Sequence, residues 1–176
     1  AFKKLETCVY TEGAACLILA AEGPAKEICQ DSGHPPIWIE GLGFACEPYW
    51  WGISHPHKLP GRIESHHLAA KIAYEMAGVT AGDIGIVELH DAFLPQLEIS
   101  MAEMGFVPLG RADSLVEEGL MMPGGKISVN PSGGLIYCGH AVGASNIMSA
   151  WACRNEMIRK NYRGGLVHGT GSTICQ

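Results

Sequence analysis

An α/β fold built on a mixed sheet is what this sequence predicts, and three observations predict it. Short apolar runs bounded by turn residues alternate with longer stretches of helical spacing. The order is strand, long loop, helix, strand, helix, strand, helix, strand, strand, an alternation that lays helices against a sheet. Polar, glycine-rich turns follow directly after several of the strand-like runs, and in open α/β sheets ligands bind at that edge.

Cys8 to Ala21 (CVYTEGAACLILAA) reads as the first strand. Its continuous apolar part, through Leu17, Ile18 and Leu19, suits a strand buried on both faces. Residues 23–28 fit a short helical turn with Pro24 near its start, and 30–36 is loop by its Gly, Asp, Ser and prolines. Ile37 to Phe44 (IWIEGLGF) reads as the next strand. Residues 47–61 form a long irregular stretch carrying Trp50, Trp51, His55 and His57, and a loop of that length in a small domain is usually functional.

Arg62 to Ala77 is expected to be a helix closed by Gly78. Ile84 to Leu89 is a buried strand that delivers His90 and Asp91 to the start of a helix over 92–104. Residues 111–125 form a polar excursion. Ile127 to Val129 is a short strand, and the turn Asn130 to Gly134 leads to Gly139 and His140. A small-residue helix follows over 142–160, then terminal strands at 166–168 and 172–175.

Composition narrows the functional classes. Apolar residues make up 47% of the 176 and charged residues 17%, against about 25% in a typical soluble domain. Such a chain is expected to bury surface against a partner. The net charge is −6 with no Lys/Arg cluster, which argues against nucleic-acid binding. An anionic ligand remains compatible, because helix N-termini hold phosphate without net positive charge. Seven cysteines without a CxxC pair argue against a disulfide framework or zinc ribbon, and predict small core residues in a reducing cytoplasm. No signal-like segment opens these residues, and AACLILAA is too short for a membrane span. The pairs His55/His57 and His66/His67 come without a spaced Cys/Asp/Glu set, so no metal site is expected.

Three segments combine polar chemistry with sharp turns. In VELHDAF, 87–93, His90 either presents an imidazole to a cleft or is a satisfied structural histidine, and Asp91 caps the next helix. In NPSGGLIYCGHAVGAS, 130–145, four glycines surround His140. In LVHGTGST, 166–173, a strand ends in His168 and a Gly-Thr-Gly turn whose amides suit either an oxyanion hole or a plain hairpin turn.

Taken in order, HDAF at 90–93, NPSGG at 130–134, GHAVGAS at 139–145 and HGTG at 168–171 resemble the C-terminal half of the thiolase superfamily. The likeness covers essentially the whole chain. CVYTEGAACLILA resembles the strand that closes the N-terminal thiolase domain, so residues 1–29 are assigned to that strand and its linker. Residues 30–176 are assigned to a thiolase-like C-terminal domain with a mixed five-stranded sheet and helices on both faces. The H-D-x-F form resembles sterol-carrier-protein-type and archaeal enzymes.

The resemblance implies chemistry on acyl-coenzyme A thioesters, with coenzyme A as a substrate and no permanently bound cofactor. A nucleophilic cysteine would come from an N-terminal half or second subunit. His140 would activate it, His90 would donate to an enolate oxygen or position a water, and the Gly169 amide would serve an oxyanion site. Three departures matter. Ala92 stands where a cysteine is often found, Val167 to Gly169 lack the second reactive cysteine, and Ala141 replaces the usual proline. His168 is therefore a candidate for the missing proton transfer, with Cys138 an alternative. Asn130, Ser132 and Gly143 are substrate-side candidates, the first two mainly as shapers of the turn. Trp50 and Trp51 line an acyl or pantetheine channel or else cover a hydrophobic interface. The resemblance also implies a homo-oligomer and, for some relatives, a separate accessory protein with a zinc ribbon and an OB fold. Two other readings stay open: a retro-aldolase acting on β-hydroxyacyl-CoA, with Tyr137 near the site, and a non-catalytic supporting subunit.

Overall fold

A computed structural model describes residues 3–46, 62–111, 113–119, 121 and 125–171. In chain order its helices and strands are α1 (Glu22–Ser32), α2 (Glu64–Ala77), β1 (Ile86–Glu88), α3 (Leu94–Glu103), α4 (Asp113–Glu117), β2 (Ser128–Val129), α5 (Gly134–Cys138), α6 (Ser145–Lys160) and β3 (Gly165–Val167). Single 3₁₀ turns occupy Lys4–Glu6 and Ala81–Asp83.

Among the described residues the sheet is three-stranded and parallel, in the order β2-β1-β3. Central β1 is buried throughout. Successive strand residues point to opposite faces, and that alternation sorts the molecule. Val87 and Leu89 join Ala70 of α2 with Leu97 and Met101 of α3 in one core cluster. Ile86 faces the other way. Its Cγ2 would lie 3.1 Å from a Cβ at Gly165, beside the sulfurs of Cys153 and Met157 on α6. Helices therefore cover both faces. Fully burying each such Val, Leu or Ile contributes roughly 1.5–3 kcal/mol.

Residue Glu103, at the end of α3, ties α2 in place. Its buried carboxylate takes a bidentate ion pair from Arg62, with Nη2 to Oε2 at 3.1 Å, and accepts the Ile63 amide at 3.1 Å. Tyr74 donates to the Met104 carbonyl at 3.2 Å.

The expected mixed, five-stranded sheet is corrected to this parallel, three-stranded one. Among the described residues, 8–21 and 37–44 form no strand; isolated bridges join Thr7 to Phe93 and Tyr10 to His140. A strand requires a neighbour for its N–H and C=O groups, and an apolar run does not supply one. Ile18, Leu19, Ile39, Leu42 and Phe44 are exposed instead. Gly41 and Gly43 press on the α2 backbone so closely that a Cβ would come 3.0 Å from the Ala73 carbonyl carbon and 2.7 Å from that of Ala69. The turn expected at 23–28 extends into the eleven-residue α1, which spans the expected junction at 29. Neither α4 nor α5 is expected from the sequence. The strand expected at 172–175 lies outside the described residues, as do Trp50, Trp51, His55 and His57. Among the described residues no helix is long and apolar enough to cross a membrane.

Candidate functional site

The carboxyl end of β1 and the turn after β2 are fastened together by polar side chains. Asn130 adopts φ 42°, a conformation asparagine tolerates better than most residues. Its side-chain oxygen accepts the Leu89 amide at 2.6 Å and its NH₂ donates to the Leu89 carbonyl at 3.1 Å, so it replaces a strand residue beside β1. Ser132 donates to the buried Glu88 carboxylate from Oγ (2.7 Å) and from its backbone N–H (3.1 Å). Asp91 accepts the Leu135 amide at 2.6 Å and holds the start of α5. Burial pushes the pKa of both carboxyls up, and these hydrogen bonds pull against that rise. Asn130 and Ser132 thus spend their side chains on the scaffold. Glu88 and Asp91 are scaffold residues too, with no site role expected from the sequence; a Glu and an Asp at an otherwise apolar strand end were the available signal.

His140 follows this turn. Gly139 before it has φ 86°, and a Cβ there would come 2.9 Å from Thr11 Oγ1, so glycine is required on both counts. Segment 8–11 braces the loop: His140 N–H donates to Val9 O (2.8 Å), Thr11 N–H to His140 O (3.0 Å) and Cys8 N–H to Ala92 O (2.9 Å). Tyr10 stacks on the His140 ring at 5.6 Å between centroids.

Ser145 anchors the His140 ring. Its Oγ lies 2.9 Å from the Ala141 carbonyl oxygen and 2.9 Å from His140 Nδ1. That contact engages Nδ1, and Nε2 is the ring nitrogen that Ser145 does not hold. His90 meets His140 edge to face at 4.9 Å. Burial first, then the neighbouring His140 charge, push the His90 pKa down to about 4, against the Asn146 side chain, which favours the proton. At neutral pH His90 is a neutral imidazole.

The structure brings His90, His140 and Gly169 to one face of the sheet. Register pairs Glu88 with Val167, so His90 lies opposite Gly169 in continuation of the parallel pairing. His168 points to the other face, as Leu89 does. Its ring packs on His66 at 4.4 Å, and its amide donates to the Glu88 carbonyl at 2.9 Å. Gly143 is exposed with open space at its Cβ position. Tyr137 is exposed, and the Cys138 thiol donates to Ser132 O at 3.1 Å. Ser145 and Asn146 are further residues of the site. Ser145 lay within the GHAVGAS segment without a role, and no local pattern marked Asn146.

Comparison with known proteins places the chain in a family. The chain is 32% identical to the acetyl-CoA acetyltransferase of Methanothermobacter thermautotrophicus, over 96% of this chain and 44% of that protein. It is 31% identical to human sterol carrier protein 2, over 93% of this chain and 30% of that protein. The solved Ltp2-ChsH2(DUF35) aldolase shares the fold, with a TM-score of 0.66 and 22% identity over 81% of this chain and 39% of that one. The chain thus spans less than half the length of each. The model of the thiolase C-terminal domain-like family matches residues 57–176, and the chain belongs to that family.

Proposed function

We propose that this chain is the C-terminal part of an acyl-CoA C-acyltransferase that cleaves or forms β-ketoacyl-CoA thioesters, its nucleophilic cysteine supplied by an N-terminal half. The observation that carries the reading is His140, whose Nδ1 lies 2.9 Å from Ser145 Oγ and whose ring meets that of a neutral His90 at 4.9 Å. In this role Nε2 takes the thiol proton. The thiolate attacks the β-keto carbon, and the electron pair moves to the carbonyl oxygen. Collapse breaks the Cα–Cβ bond and leaves an enolate, whose oxygen His90 stabilises by donating a hydrogen bond. The enolate carbon takes the proton held on Nε2, the coenzyme A thiol then gives its own proton to Nε2, and its thiolate displaces the acyl group from the cysteine, which leaves as a thiolate and recovers that proton. The Gly169 amide serves an oxyanion, a donor worth roughly 3 kcal/mol. His168 acts here through its backbone, holding the Gly169 turn against β1.

Several features support the remaining assignments. Residues 1–29 belong with the N-terminal half, and the exposed apolar side chains of 17–19 and 37–44 are the surface that this half, or a second subunit, covers. Homo-oligomerisation follows from the same exposed surface. The solved aldolase is named for Ltp2 together with a ChsH2(DUF35) component, which supports a separate zinc-ribbon/OB-fold accessory protein here. Trp50 and Trp51 are proposed to line the acyl channel. Free thiols at Cys8, Cys16, Cys29, Cys46, Cys138 and Cys153 suit the cytoplasm.

A second reading, retro-aldol cleavage of a β-hydroxyacyl-CoA, is favoured by Ala92 and Val167 and by the exposed Tyr10 stacked on His140. One assay on the full-length protein separates the two. It follows CoA-dependent cleavage of a β-ketoacyl-CoA beside CoA-independent cleavage of a β-hydroxyacyl-CoA, each with and without His140→Ala. Ketoacyl cleavage lost in the variant supports the acyltransferase. Hydroxyacyl cleavage alone moves the protein to the aldolases, and silence on both substrates favours a non-catalytic supporting subunit.

A further inference from the structure

We propose that Gln96 is the positioning residue for the Gly169 amide, holding the turn after β3 from the α3 side through the hydroxyl of Thr170. Gln96 stands in the first turn of α3, the helix that β1 leads into. Its Nε2 donates to Thr170 Oγ1 at 3.2 Å, across 74 residues of sequence. Thr170 carries the one side chain of the Gly-Thr-Gly turn, so its hydroxyl is where a neighbouring side chain can grip that turn.

Gln96 is itself held in a closed path. Its carbonyl accepts Ser100 Oγ at 2.7 Å, Ser100 Oγ lies 3.0 Å from Nδ1 of buried His66, and the His66 ring packs on His168 at 4.4 Å. Both chain neighbours of Gly169, His168 and Thr170, are therefore fastened on the α2/α3 face. Gly169 itself turns to the other side, where a Cβ would come 2.5 Å from Asn146 Cγ. The two glycines give the turn a backbone freedom that its surroundings must remove. The bond from the His168 amide to the Glu88 carbonyl, at 2.9 Å, fixes the turn only before Gly169. The Gln96 bond fixes it after Gly169. An oxyanion donor works by its aim, and a turn free to swivel loses that aim.

The inference rests on the role proposed for the Gly169 amide, and its test separates the two. In the full-length protein, deuterium uptake of residues 168–171 is followed by mass spectrometry in Q96L, T170V and the double variant. Either single change should speed that uptake about threefold or more. The double variant should add nothing, because both changes delete the same bond. T170S returns the hydroxyl and should reverse the rise. Unchanged uptake in T170V, or a double variant in which the two rises multiply, overturns the proposal. With β-ketoacyl-CoA, Q96L and T170V should each lower kcat about tenfold with KM within about twofold, and T170S should recover most of that loss. Should Q96L fail to fold, T170V against T170S decides by the same two readouts. Faster uptake in a protein that turns over neither thioester would keep Gln96 as the anchor of the turn and remove the acyltransferase reading. Ketoacyl turnover whose kcat T170V leaves unmoved would keep the acyltransferase and overturn the positioning role.

Discussion

Two histidine pairs flank the same sheet and use the same local device, yet only one faces a site. On the α6 face, His140 Nδ1 lies 2.9 Å from Ser145 Oγ, which also hydrogen-bonds the carbonyl four residues back. On the α2/α3 face, His66 lies 3.0 Å from Ser100, whose hydroxyl likewise donates to Gln96 O at 2.7 Å. The partners also match, with His140 against His90 at 4.9 Å and His66 against His168 at 4.4 Å. What differs is the surroundings. His66 is fully buried where α2 meets α3, whereas His140 has exposed Tyr10 on its face and exposed Asn146 and Gly143 nearby in sequence. A serine-fixed imidazole is therefore not by itself a catalytic signature. The same device can lock a core, and access decides which of the two it does.

The largest effect should come from removing the accessible pair's base. In the full-length protein with β-ketoacyl-CoA, His140→Ala should lower kcat by about 10³-fold, while His168→Ala should keep activity per folded molecule within about tenfold and lose stability instead. A collapse of turnover in His168→Ala at undiminished stability would erase the distinction between the two pairs.

Next in size is the scaffold of the packed face. Glu103→Gln leaves Arg62 without its charge partner and should destabilise by about 2–4 kcal/mol, read from urea midpoints. A change below about 0.5 kcal/mol would mean that this ion pair contributes little.

A third effect is pH-dependent. His90 protonates near 6.5 in the unfolded chain and near 4 in the fold. Between those values the unfolded state binds more protons, so stability present above pH 6.5 is lost as pH falls toward 4. Glu88 and Asp91 act with the opposite sign. Their raised values favour the fold below the ordinary 4.5 and 3.8 and lose that contribution as pH rises through the folded values. Urea midpoints between pH 4 and 6.5 should therefore flatten in His90→Asn; an unchanged slope would assign the acid loss to other groups.

The smallest effect should be Tyr10→Ala, about 0.5–1 kcal/mol from the lost ring stack, whereas Tyr10→Phe should be near neutral. Calorimetry on both variants measures how far the exposed residue supports His140.

Local information carried most of the helical frame. Helix α2 ends where the periodicity and Gly78 place its end, and β1, α3, α6 and β3 differ from their expected bounds by a few residues, because helical spacing and caps are encoded within one or two turns. The motif turns were legible for the same reason: Asn130 and Gly139 hold unusual backbone that few residue types tolerate. The runs 8–21 and 37–44 were not, since apolar composition marks a segment that seeks cover without saying whether a neighbouring strand provides it.

Contiguous residues were enough for the α/β class, for the family resemblance and for singling out HDAF and the GHAVGAS loop as the places where chemistry gathers. Which histidines meet was settled at the tertiary level. His90 and His168 both follow strands of the one sheet, but the parallel register sets them one step out of phase, and alternation turns one toward α6 and the other toward His66. Asn146, marked by no local pattern, crowds Gly169 for the same kind of reason: that meeting depends on how α6 crosses the end of β3 rather than on any neighbour in the chain.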